Sequence, residues 1–460
     1  MGETGRRSVG NGKERWRDYA GFPESQKGGV HMTEAEAVAK IHSVYPSGKK
    51  EGLTNMREIM SRLGNPQAAV PMVHVAGTNG KGSCCAMIER VLREAGYTTG
   101  LYTSPYIERY NERIRIGGVP IAGDKLAALV ERVWPAVEDC RAKGIRITEF
   151  ELGTALAFTA FAQEKVDIAV IEVGLGGRLD PTNIIHPLVS VITEVGMDHM
   201  HFLGDTIEEI ALEKAGIMKR GVPVVLGRQE KAAHRVLLAA AKGLGIPVLD
   251  PDAENVRETS RNVTFDVRMP DEMIKNLTVS LRGRHQAENA CAALGALHVL
   301  RQRGFAIPTE AVRRGMADVR WPGRLESFGH ILLDGAHNDP GVRALCAYCD
   351  AWLPREKTVL LTGMMADKDV AQMAKRLSTR VRCVVTTRPD LPRAMDADEL
   401  AQAFAQHGLK TTAVPEPREA LAQARAMAGP EGIVLVAGSL YLIGAIRTLL
   451  RQEKEFADVI

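Results

Sequence analysis

The chain has 460 residues, 45% of them hydrophobic and 25% charged. This length predicts two or three domains, and the composition excludes a disordered, collagen-like or coiled-coil chain. Lysine and arginine total 59 against 56 for aspartate and glutamate, a net charge of only +3 that argues against a nucleic-acid or anionic-membrane partner.

The cysteines and the apolar segments favour a cytoplasmic protein. Seven scattered cysteines do not resemble the disulfide framework of a secreted protein. The longest uncharged apolar stretch, residues 433–446, is shorter than the roughly 18 to 20 residues of a membrane-spanning helix, and it predicts a buried strand running into a helix. Residues 1–31 contain no apolar run of a signal peptide and are interpreted as a flexible extension.

From Met32 the pattern is helical to about Gly64, and strands then alternate with helices. Buried strands are predicted at residues 72–76, 167–173, 188–192 and 222–226, with helices between them such as residues 83–95. This alternation predicts a parallel sheet covered on both faces. Residues 250–281 instead alternate like an antiparallel ribbon, with strands at 263–267 and 277–281.

A second α/β unit follows the hinge-like segment Trp321-Pro322-Gly323-Arg324. Its predicted strands are residues 330–333, 358–361, 381–386 and 433–437, with helices between them such as residues 398–407. We therefore predict domains at residues 32–321 and 322–460, the second of typical domain size.

The strongest motif lies between the first predicted strand and the helix after it: Gly77-Thr78-Asn79-Gly80-Lys81-Gly82-Ser83. A glycine-rich turn there directs backbone N–H groups and the helix N-terminus at a phosphate chain, while Lys81 reaches the terminal phosphates. The common form of this loop has Ser or Thr directly after the lysine, whereas here Gly82 precedes Ser83. The alternative is a glycine-rich surface turn. Together with the two alternating units described above, the motif predicts an α/β fold with a P-loop NTPase-like parallel-sheet N-terminal domain and a smaller Rossmann-like C-terminal domain.

Further candidate residues follow later strands. Glu172 ends an apolar strand and precedes a glycine-rich turn, where a nucleotide-bound Mg²⁺ needs a hard oxygen ligand; a solvated strand-end glutamate is the alternative. By spacing alone, His199 is typical of a satisfied polar residue and Lys214 of a solvated helix lysine. In the second unit a strand ends in Asp334-Gly335-Ala336-His337-Asn338, at the edge where α/β sheets bind ligands. Cys346 and Cys349 form a lone CxxC pair, interpreted as core packing.

Together these motifs closely resemble the folylpolyglutamate synthase/dihydrofolate synthase family, within the Mur-ligase-type ATP-dependent amide ligases. The resemblance extends from about Met32 to the C-terminus. Besides the motifs above, it rests on Thr103-Ser104-Pro105, Asn111-Glu112-Arg113-Ile114, Gly174-Leu175-Gly176-Gly177-Arg178-Leu179-Asp180, Asp198-His199, Glu213-Lys214-Ala215-Gly216 and Gly363-Met364-Met365-Ala366-Asp367-Lys368-Asp369.

The resemblance implies roles for individual residues. Residues Gly77, Thr78, Asn79, Gly80, Lys81, Gly82 and Ser83 are implied to bind ATP together with Asn289, Arg324, Asp334 and His337. Two residues are implied to bind Mg²⁺: Glu172, and Ser104 on the loop after the first helix. His199 is implied to bind a second Mg²⁺. Lys214 matches a lysine that the family carries carbamylated, which would let it help to hold metal. Lys81, His199 and Lys214 are the implied catalytic residues, and Phe150 lies in the segment that resembles the pterin-contacting one.

The implied activity is ATP-dependent addition of L-glutamate to folates and to dihydropteroate through an acyl phosphate. The implied cofactors are Mg²⁺ and a monovalent cation, and the implied state is a cytoplasmic monomer without nucleic-acid or membrane partners. Two positions depart from the family: Tyr106 stands where a histidine is common, and Met200 where a threonine is common. Both lie near the implied folate side.

Two other functions remain as alternatives. A Mur ligase of cell-wall synthesis would need a UDP-sugar-binding domain before the phosphate loop, and only 76 residues precede Gly77. A P-loop switch or regulatory ATPase would need no second α/β domain, and nucleotide turnover without an amine acceptor would favour it.

Overall fold

The structure is a computed structural model that describes residues 32–46 and 52–453. The predicted flexible extension, residues 1–31, lies outside the described residues. Two helices, α1 (Glu34–His42) and α2 (Thr54–Arg62), occupy the region predicted as continuously helical.

An eight-stranded sheet forms the centre of the N-terminal half. Its strands are β1 (Met72–Ala76), β2 (Thr99–Tyr102), β3 (Ile114–Ile116), β4 (Val119–Pro120), β5 (Ile168–Glu172), β6 (Val189–Ile192), β7 (Val224–Leu226) and β8 (Val248–Leu249), in the order β4-β3-β2-β5-β1-β6-β7-β8. Six of these strands are parallel: β1, β5, β6 and β7, which were predicted, and β2 and β8, which were not. The short strands β3 and β4 add an unpredicted antiparallel edge. The helix predicted at residues 83–95 begins at Lys81 rather than at Ser83.

Helices cover both faces of this sheet. They are α3 (Lys81–Glu94), α4 (Gly123–Ala142), α5 (Glu149–Gln163), α6 (Met200–Leu203), α7 (Ile207–Ala215), α8 (Lys231–Leu244), α9 (His285–Gln302) and α10 (Thr309–Ala317). Every residue of β1 and β5 is buried, as expected for central parallel strands. Alternate residues of β1 contribute to different cores: Val73 and Val75 lie with α3 and α9, whereas Met72 lies with α4 and α5.

The predicted antiparallel ribbon is a separate three-stranded sheet. It consists of β9 (Ala253–Glu258), β10 (Val263–Arg268) and β11 (Met273–Val279), in the order β11-β10-β9. The prediction omitted β9, whose residues are half-buried or exposed and give no clear apolar alternation. It also placed the last strand a few residues late.

A six-stranded sheet forms the centre of the C-terminal part. Its strands are β12 (Glu326–Phe328), β13 (Ile331–Leu333), β14 (Thr358–Thr362), β15 (Cys383–Thr386), β16 (Lys410–Ala413) and β17 (Ile433–Ala437), in the order β12-β13-β17-β14-β15-β16. Only β12 is antiparallel to its neighbour. Its helices are α11 (Asp339–Trp352), α12 (Val370–Ser378), α13 (Ala397–Ala405), α14 (Pro417–Ala428) and α15 (Leu440–Arg451). The α/β class is confirmed, while the exact boundary at residues 321 and 322 stays a prediction.

The state of the cysteines and the length of the apolar helices agree with the expectations from the sequence. All seven cysteines are free and buried. Cys346 and Cys349 belong to α11 and pack in the core, as interpreted from the sequence. Within residues 32–46 and 52–453, no helix combines the length and apolar character needed to cross a bilayer.

Candidate functional site

The candidate site lies where the carboxyl ends of the two sheets face each other. Asn338, at the start of α11, donates to Asn79 Oδ1 (3.1 Å) and to Asp198 Oδ2 (2.8 Å). Lys368, after β14, donates to Asp198 Oδ1 at 2.9 Å. These contacts join the loops after β1 and β6 to the second sheet, so the polar strand ends noted in the sequence line one cleft.

The predicted phosphate loop connects β1 to α3, and its glycines are enforced by close packing. A Cβ atom at Gly77 would lie 1.8 Å from Thr193 Oγ1, and one at Gly80 would lie 2.0 Å from Asn289 Oδ1. Gly80 also has a left-handed backbone (φ 80°) at the N-terminus of α3. Lys81 Nζ donates to the carbonyl oxygens of Gly77 and Thr78, both at 3.2 Å. The ammonium group therefore lies over the loop, where a nucleotide's phosphates would be held.

Gly82, the residue that departs from the common phosphate-loop pattern, has a structural reason. A Cβ atom at Gly82 would lie 2.8 Å from the indole nitrogen of Trp321. The guanidinium carbon of Arg115 in turn lies over the Trp321 ring, 5.5 Å from the ring centroid. Glycine at this position thus lets the segment before Arg324 pack directly on the first turn of α3.

Glu172 ends β5 directly beside β1, where it pairs with Val75. The residue is only 5% exposed, and its Oε2 accepts the backbone N–H of Ser104 at 3.1 Å. Burial raises the pKa of Glu172, and the nearby Lys81 opposes this shift. Glu172 is therefore a buried carboxylate, and the alternative of a solvated strand end is wrong. Ser104 follows β2 rather than coming directly after α3, which corrects its predicted place.

The donor set around Glu172 fits a nucleotide-bound Mg²⁺. Within the described residues, no three His, Cys, Asp or Glu side chains come together to form a metal cage. Mg²⁺ usually takes one or two protein oxygens and completes its shell with phosphate oxygens and water. One buried carboxylate with Ser104 beside it, next to a phosphate loop, is this kind of partial site.

Asp198 and His199 follow β6 on the opposite wall of the cleft. His199 has a left-handed backbone (φ 52°), and its Nε2 lies 3.9 Å from Asp198 Oδ2. Burial lowers the pKa of His199, which favours the neutral ring that binds metals. Although burial opposes it, the neighbouring His199 and Lys368 hold the pKa of Asp198 well below its usual range. The sequence motifs contained Asp198, Asn338 and Lys368, but only this geometry shows that they form one cluster.

Lys214 is not a solvated lysine. It lies in the last turn of α7, is 3% exposed, and its Nζ donates to the carbonyl oxygen of Gly77 at 2.9 Å. The interpretation from spacing alone is therefore wrong. The Lys214 side chain thus binds the first residue of the phosphate loop. Carbamylation of Lys214 stays a prediction.

The other predicted ATP residues line a pocket over the phosphate loop. Asn289 on α9 borders it together with Arg324, Asp334 and His337. Asp334 accepts the backbone N–H groups of Leu325 and Ala336, both at 3.0 Å, which fixes the turn after β13. His337 Nδ1 donates to the carbonyl oxygen of Gly335 at 2.8 Å, and burial lowers the pKa of His337 to about 4. The pocket therefore holds a neutral imidazole beside a buried carboxyl group.

A larger cavity of about 620 Å³ opens on the other side of Ser104 and His199. This volume is typical of sites for molecules of cofactor size. Phe150, at the start of α5, forms part of the apolar wall, and a Cβ atom at Gly174 would lie only 2.3 Å from its ring. The cavity is also lined by four cationic side chains, those of Arg113, Arg146, Lys368 and Arg393. Three acidic residues, Glu151, Asp180 and Asp367, also line the cavity but are outnumbered by the four cations. An aromatic ligand with carboxylate groups matches these walls.

Two family models match most of the chain. They are the Mur ligase middle domain over residues 75–297 and the Mur ligase glutamate ligase domain over residues 323–440. The chain is 39% identical over 427 residues to dihydrofolate synthase/folylpolyglutamate synthase of Bacillus subtilis, an alignment that covers 90% of this chain and 99% of the relative.

Solved structures give a similar result. Mycobacterium tuberculosis folylpolyglutamate synthase complexed with ADP and AMPPCP matches with a TM-score of 0.84 at 32% identity, over 91% of this chain and 99% of that one. A folylpolyglutamate synthase complex with AMPPCP and folate matches with a TM-score of 0.79 at 36% identity, over 91% of this chain and all (100%) of that one.

Proposed function

The chain belongs to the folylpolyglutamate synthase/dihydrofolate synthase family and is an ATP-dependent ligase that adds glutamate to folates; we propose that it also adds the first glutamate to dihydropteroate. One observation carries the proposal. A cavity of about 620 Å³ with an aromatic wall and four cations is lined by His199 and by Ser104, whose N–H binds Glu172 beside the phosphate-loop strand β1. The carboxylate of a bound pterin and the terminal phosphate of ATP can therefore meet at one point.

Both alternative functions lose their support. A switch ATPase shares only the phosphate loop and its domain with this family. A cell-wall ligase shares both Mur ligase domains, but the relatives that this chain matches are named folate ligases. The relatives match over nearly their full lengths, and the second sheet falls in a glutamate ligase domain.

We propose that amide formation proceeds in two steps. A pterin-side carboxylate oxygen attacks the γ-phosphorus of ATP, and the bond from that phosphorus to the bridging oxygen breaks to release ADP. The glutamate amine then attacks the acyl carbon, loses a proton and expels phosphate, which carries the former carboxylate oxygen. Positioning and charge neutralisation dominate such a transfer.

The residues of the cleft have distinct proposed tasks. Lys81 and the loop amides neutralise the phosphate charge, and Lys214 holds the loop from below. Glu172 and Ser104 would hold Mg²⁺, with His199 at a second Mg²⁺; when bound, these ions neutralise phosphate charge. Asn289, Asp334 and His337 border the nucleotide, and Phe150 packs against the pterin.

Contacts between the two sheets protect the reactive intermediate. Asn338 and Lys368 reach across to Asn79 and Asp198, and Arg324 lies between the nucleotide pocket and Glu172. A cleft closed in this way excludes water from an acyl phosphate and so limits its hydrolysis. We further propose a monomer that works in the cytoplasm with Mg²⁺ and a monovalent cation; the seven free cysteines support a reducing compartment.

The proposed double activity is tested by identifying products. We expect purified protein with Mg-ATP and L-glutamate to convert dihydropteroate to dihydrofolate and a reduced folate monoglutamate to a diglutamate, because the cavity binds the pterin ring that both share. Mass spectrometry of each reaction detects one added glutamyl residue. Extension of the folate with no reaction of dihydropteroate would remove the dihydrofolate synthase half of the proposal.

A further inference from the structure

One arginine of the last helix is buried against two carboxylates that lie far away in the sequence. Arg447 on α15 has a side chain only 7% exposed. Its Nε donates to Glu326 Oε1 at 3.0 Å, and its Nη1 donates to Glu108 Oε2. The Glu108 and Glu326 side chains are themselves only 9% and 17% exposed. An arginine fork suits this geometry because its donors point in fixed, divergent directions.

The Glu108 end of this network leads to the site proposed to hold metal. Glu108 belongs to the loop that follows β2, and Ser104 lies four residues before it. The carboxylate of Glu112 accepts the backbone N–H groups of Ile107, Glu108 and Arg109 at 2.9 to 3.0 Å. At the other end of the loop, the Ser104 N–H is bound to Glu172. The loop is thus held near both ends, and we expect a shift of Glu108 to displace Ser104.

The Glu326 end leads to the segment that carries Arg324. Glu326 Oε2 accepts the backbone N–H of Gly323 at 2.9 Å, and Arg324 Nη1 donates to the carbonyl oxygen of Gly323 at 3.2 Å. Arg447 therefore contacts both segments that bring groups to the cleft from the interface side.

Packing at the same interface is an independent observation. A Cβ atom at Gly444, one turn before Arg447, would lie 2.0 Å from the carbonyl oxygen of Ile107. A Cβ atom at Gly323 would lie 3.0 Å from Ile443. Helix α15 thus touches the backbone of the Ser104 loop directly, and the contact leaves no room for a methyl group.

We propose that Arg447 is a positioning residue for the ligase reaction: it fixes the closed arrangement of the two sheets and, through Glu108 and Glu326, sets Ser104 and Arg324 against the nucleotide. Arg447 lines neither the nucleotide pocket nor the cavity of about 620 Å³. The inference rests on the proposed function in one respect, the reaction that Arg447 assists. The relative position of the two sheets can be measured without turnover. Coupling of this kind follows from two packed segments that share one buried cation.

The first test measures the arrangement. Spin labels are placed at Ala239→Cys on α8 and Ala405→Cys on α13, two exposed helix positions; labelling is selective because the seven native cysteines are buried. With Mg-AMPPCP bound, we expect one narrow distance distribution in the otherwise native protein and a broader one in Arg447→Lys. Lysine keeps the charge but cannot bridge both carboxylates.

The second test measures turnover of the same variants. In Arg447→Lys we expect kcat to fall roughly tenfold or more, as for other small misplacements of reacting groups, and the Mg²⁺ concentration for half-maximal rate to rise. Gly444→Ala pushes α15 away from the Ser104 loop without changing any charge. We expect the same fall in kcat and the same rise in the Mg²⁺ requirement. Arg451→Met is the matched control: Arg451 also contacts Glu108, at 3.1 Å, but its side chain is 42% exposed, so only small changes are expected.

Each outcome decides the proposal. Turnover by the native protein in the same assay separates failure of this inference from failure of the proposed function. The proposal is overturned if Arg447→Lys and Gly444→Ala keep native distances, or if their kcat per folded molecule and Mg²⁺ requirement match the native values. If Arg447→Lys does not fold, Gly444→Ala decides the question alone.

Discussion

Replacing Lys81 with alanine is expected to abolish glutamate ligation while leaving the fold intact. The Lys81 ammonium lies over the phosphate loop, where it donates to the carbonyl oxygens of Gly77 and Thr78. Its removal leaves the developing charge on the transferred phosphoryl group without its fixed cation. Loss of one such electrostatic group costs about 10³-fold in kcat, or about 4 kcal/mol of transition-state stabilisation. Steady-state formation of glutamylated product measures the effect.

Lys219→Ala is the control for this variant. Lys219 also donates to a backbone oxygen and a side-chain oxygen, both of Asn183, but it lies outside the phosphate loop. We expect this control to keep its turnover. Equal unfolding midpoints of Lys81→Ala and native protein would show that the loss is chemical. Substantial turnover by Lys81→Ala would contradict the assignment of residues 77–83 to the phosphates.

Glu172→Gln is expected to have the second largest effect. The amide keeps the size of the side chain and an oxygen that can accept the Ser104 N–H, but it removes the buried negative charge. If this carboxylate holds Mg²⁺, kcat should fall about 10²-fold, and the Mg²⁺ concentration for half-maximal rate should rise. The unfolding midpoint should not fall, since a neutral amide costs less to bury than a carboxylate.

The control for Glu172→Gln is another buried glutamate on the same domain. Glu89 on α3 is 4% exposed and accepts the Thr99 hydroxyl, and it lies outside the cleft. We expect Glu89→Gln to show the native Mg²⁺ dependence. An unchanged Mg²⁺ requirement in Glu172→Gln would reject Glu172 as a metal ligand. Calorimetric titration of Mg-AMPPCP gives a second readout that does not depend on turnover.

The parts of the fold that sequence patterns predicted are those with local causes. Strand β1, the phosphate loop and α3 are contiguous, and their apolar run, glycines and lysine are sufficient to define them. Glu172 could be placed beside the loop because parallel strands share one carboxyl edge. The strands β3, β4, β8, β12 and β16 were missed, since each is short and partly exposed and gives a weak periodic signal. Strand β2 was also missed, although its four residues are all buried.

The features that were not predictable depend on contacts between distant segments. Asp198 and Lys368 are 170 residues apart in the chain, and their ion pair exists only because the two sheets face each other. The reason for Gly82 lies in Trp321, across the hinge-like segment. Lys214 has the sequence of a solvated helix lysine, and only the path of α7 beneath the phosphate loop buries it. No local pattern encodes such pairings.

The network of Arg447 changes how the last helix is understood. Helix α15 forms part of the second sheet's core, yet Gly444 and Arg447 on it contact the Ser104 loop of the first. The first residues of α15, Leu440 and Tyr441, line the cleft, and its later residues can thereby fix the distance between the two halves of the cleft. Substitutions on this surface should then alter kcat and the Mg²⁺ requirement more than they alter the unfolding midpoint.

Phosphate release from Mg-ATP tests the central claim most directly. Purified protein is assayed with glutamate plus dihydropteroate, with glutamate plus a reduced folate monoglutamate, with each pterin alone and with glutamate alone. Because the acyl phosphate forms on the pterin and is consumed by the glutamate amine, we predict sustained release only when both are present. Equal release without glutamate or without a pterin would contradict the ligase account and indicate an ATPase that forms no amide.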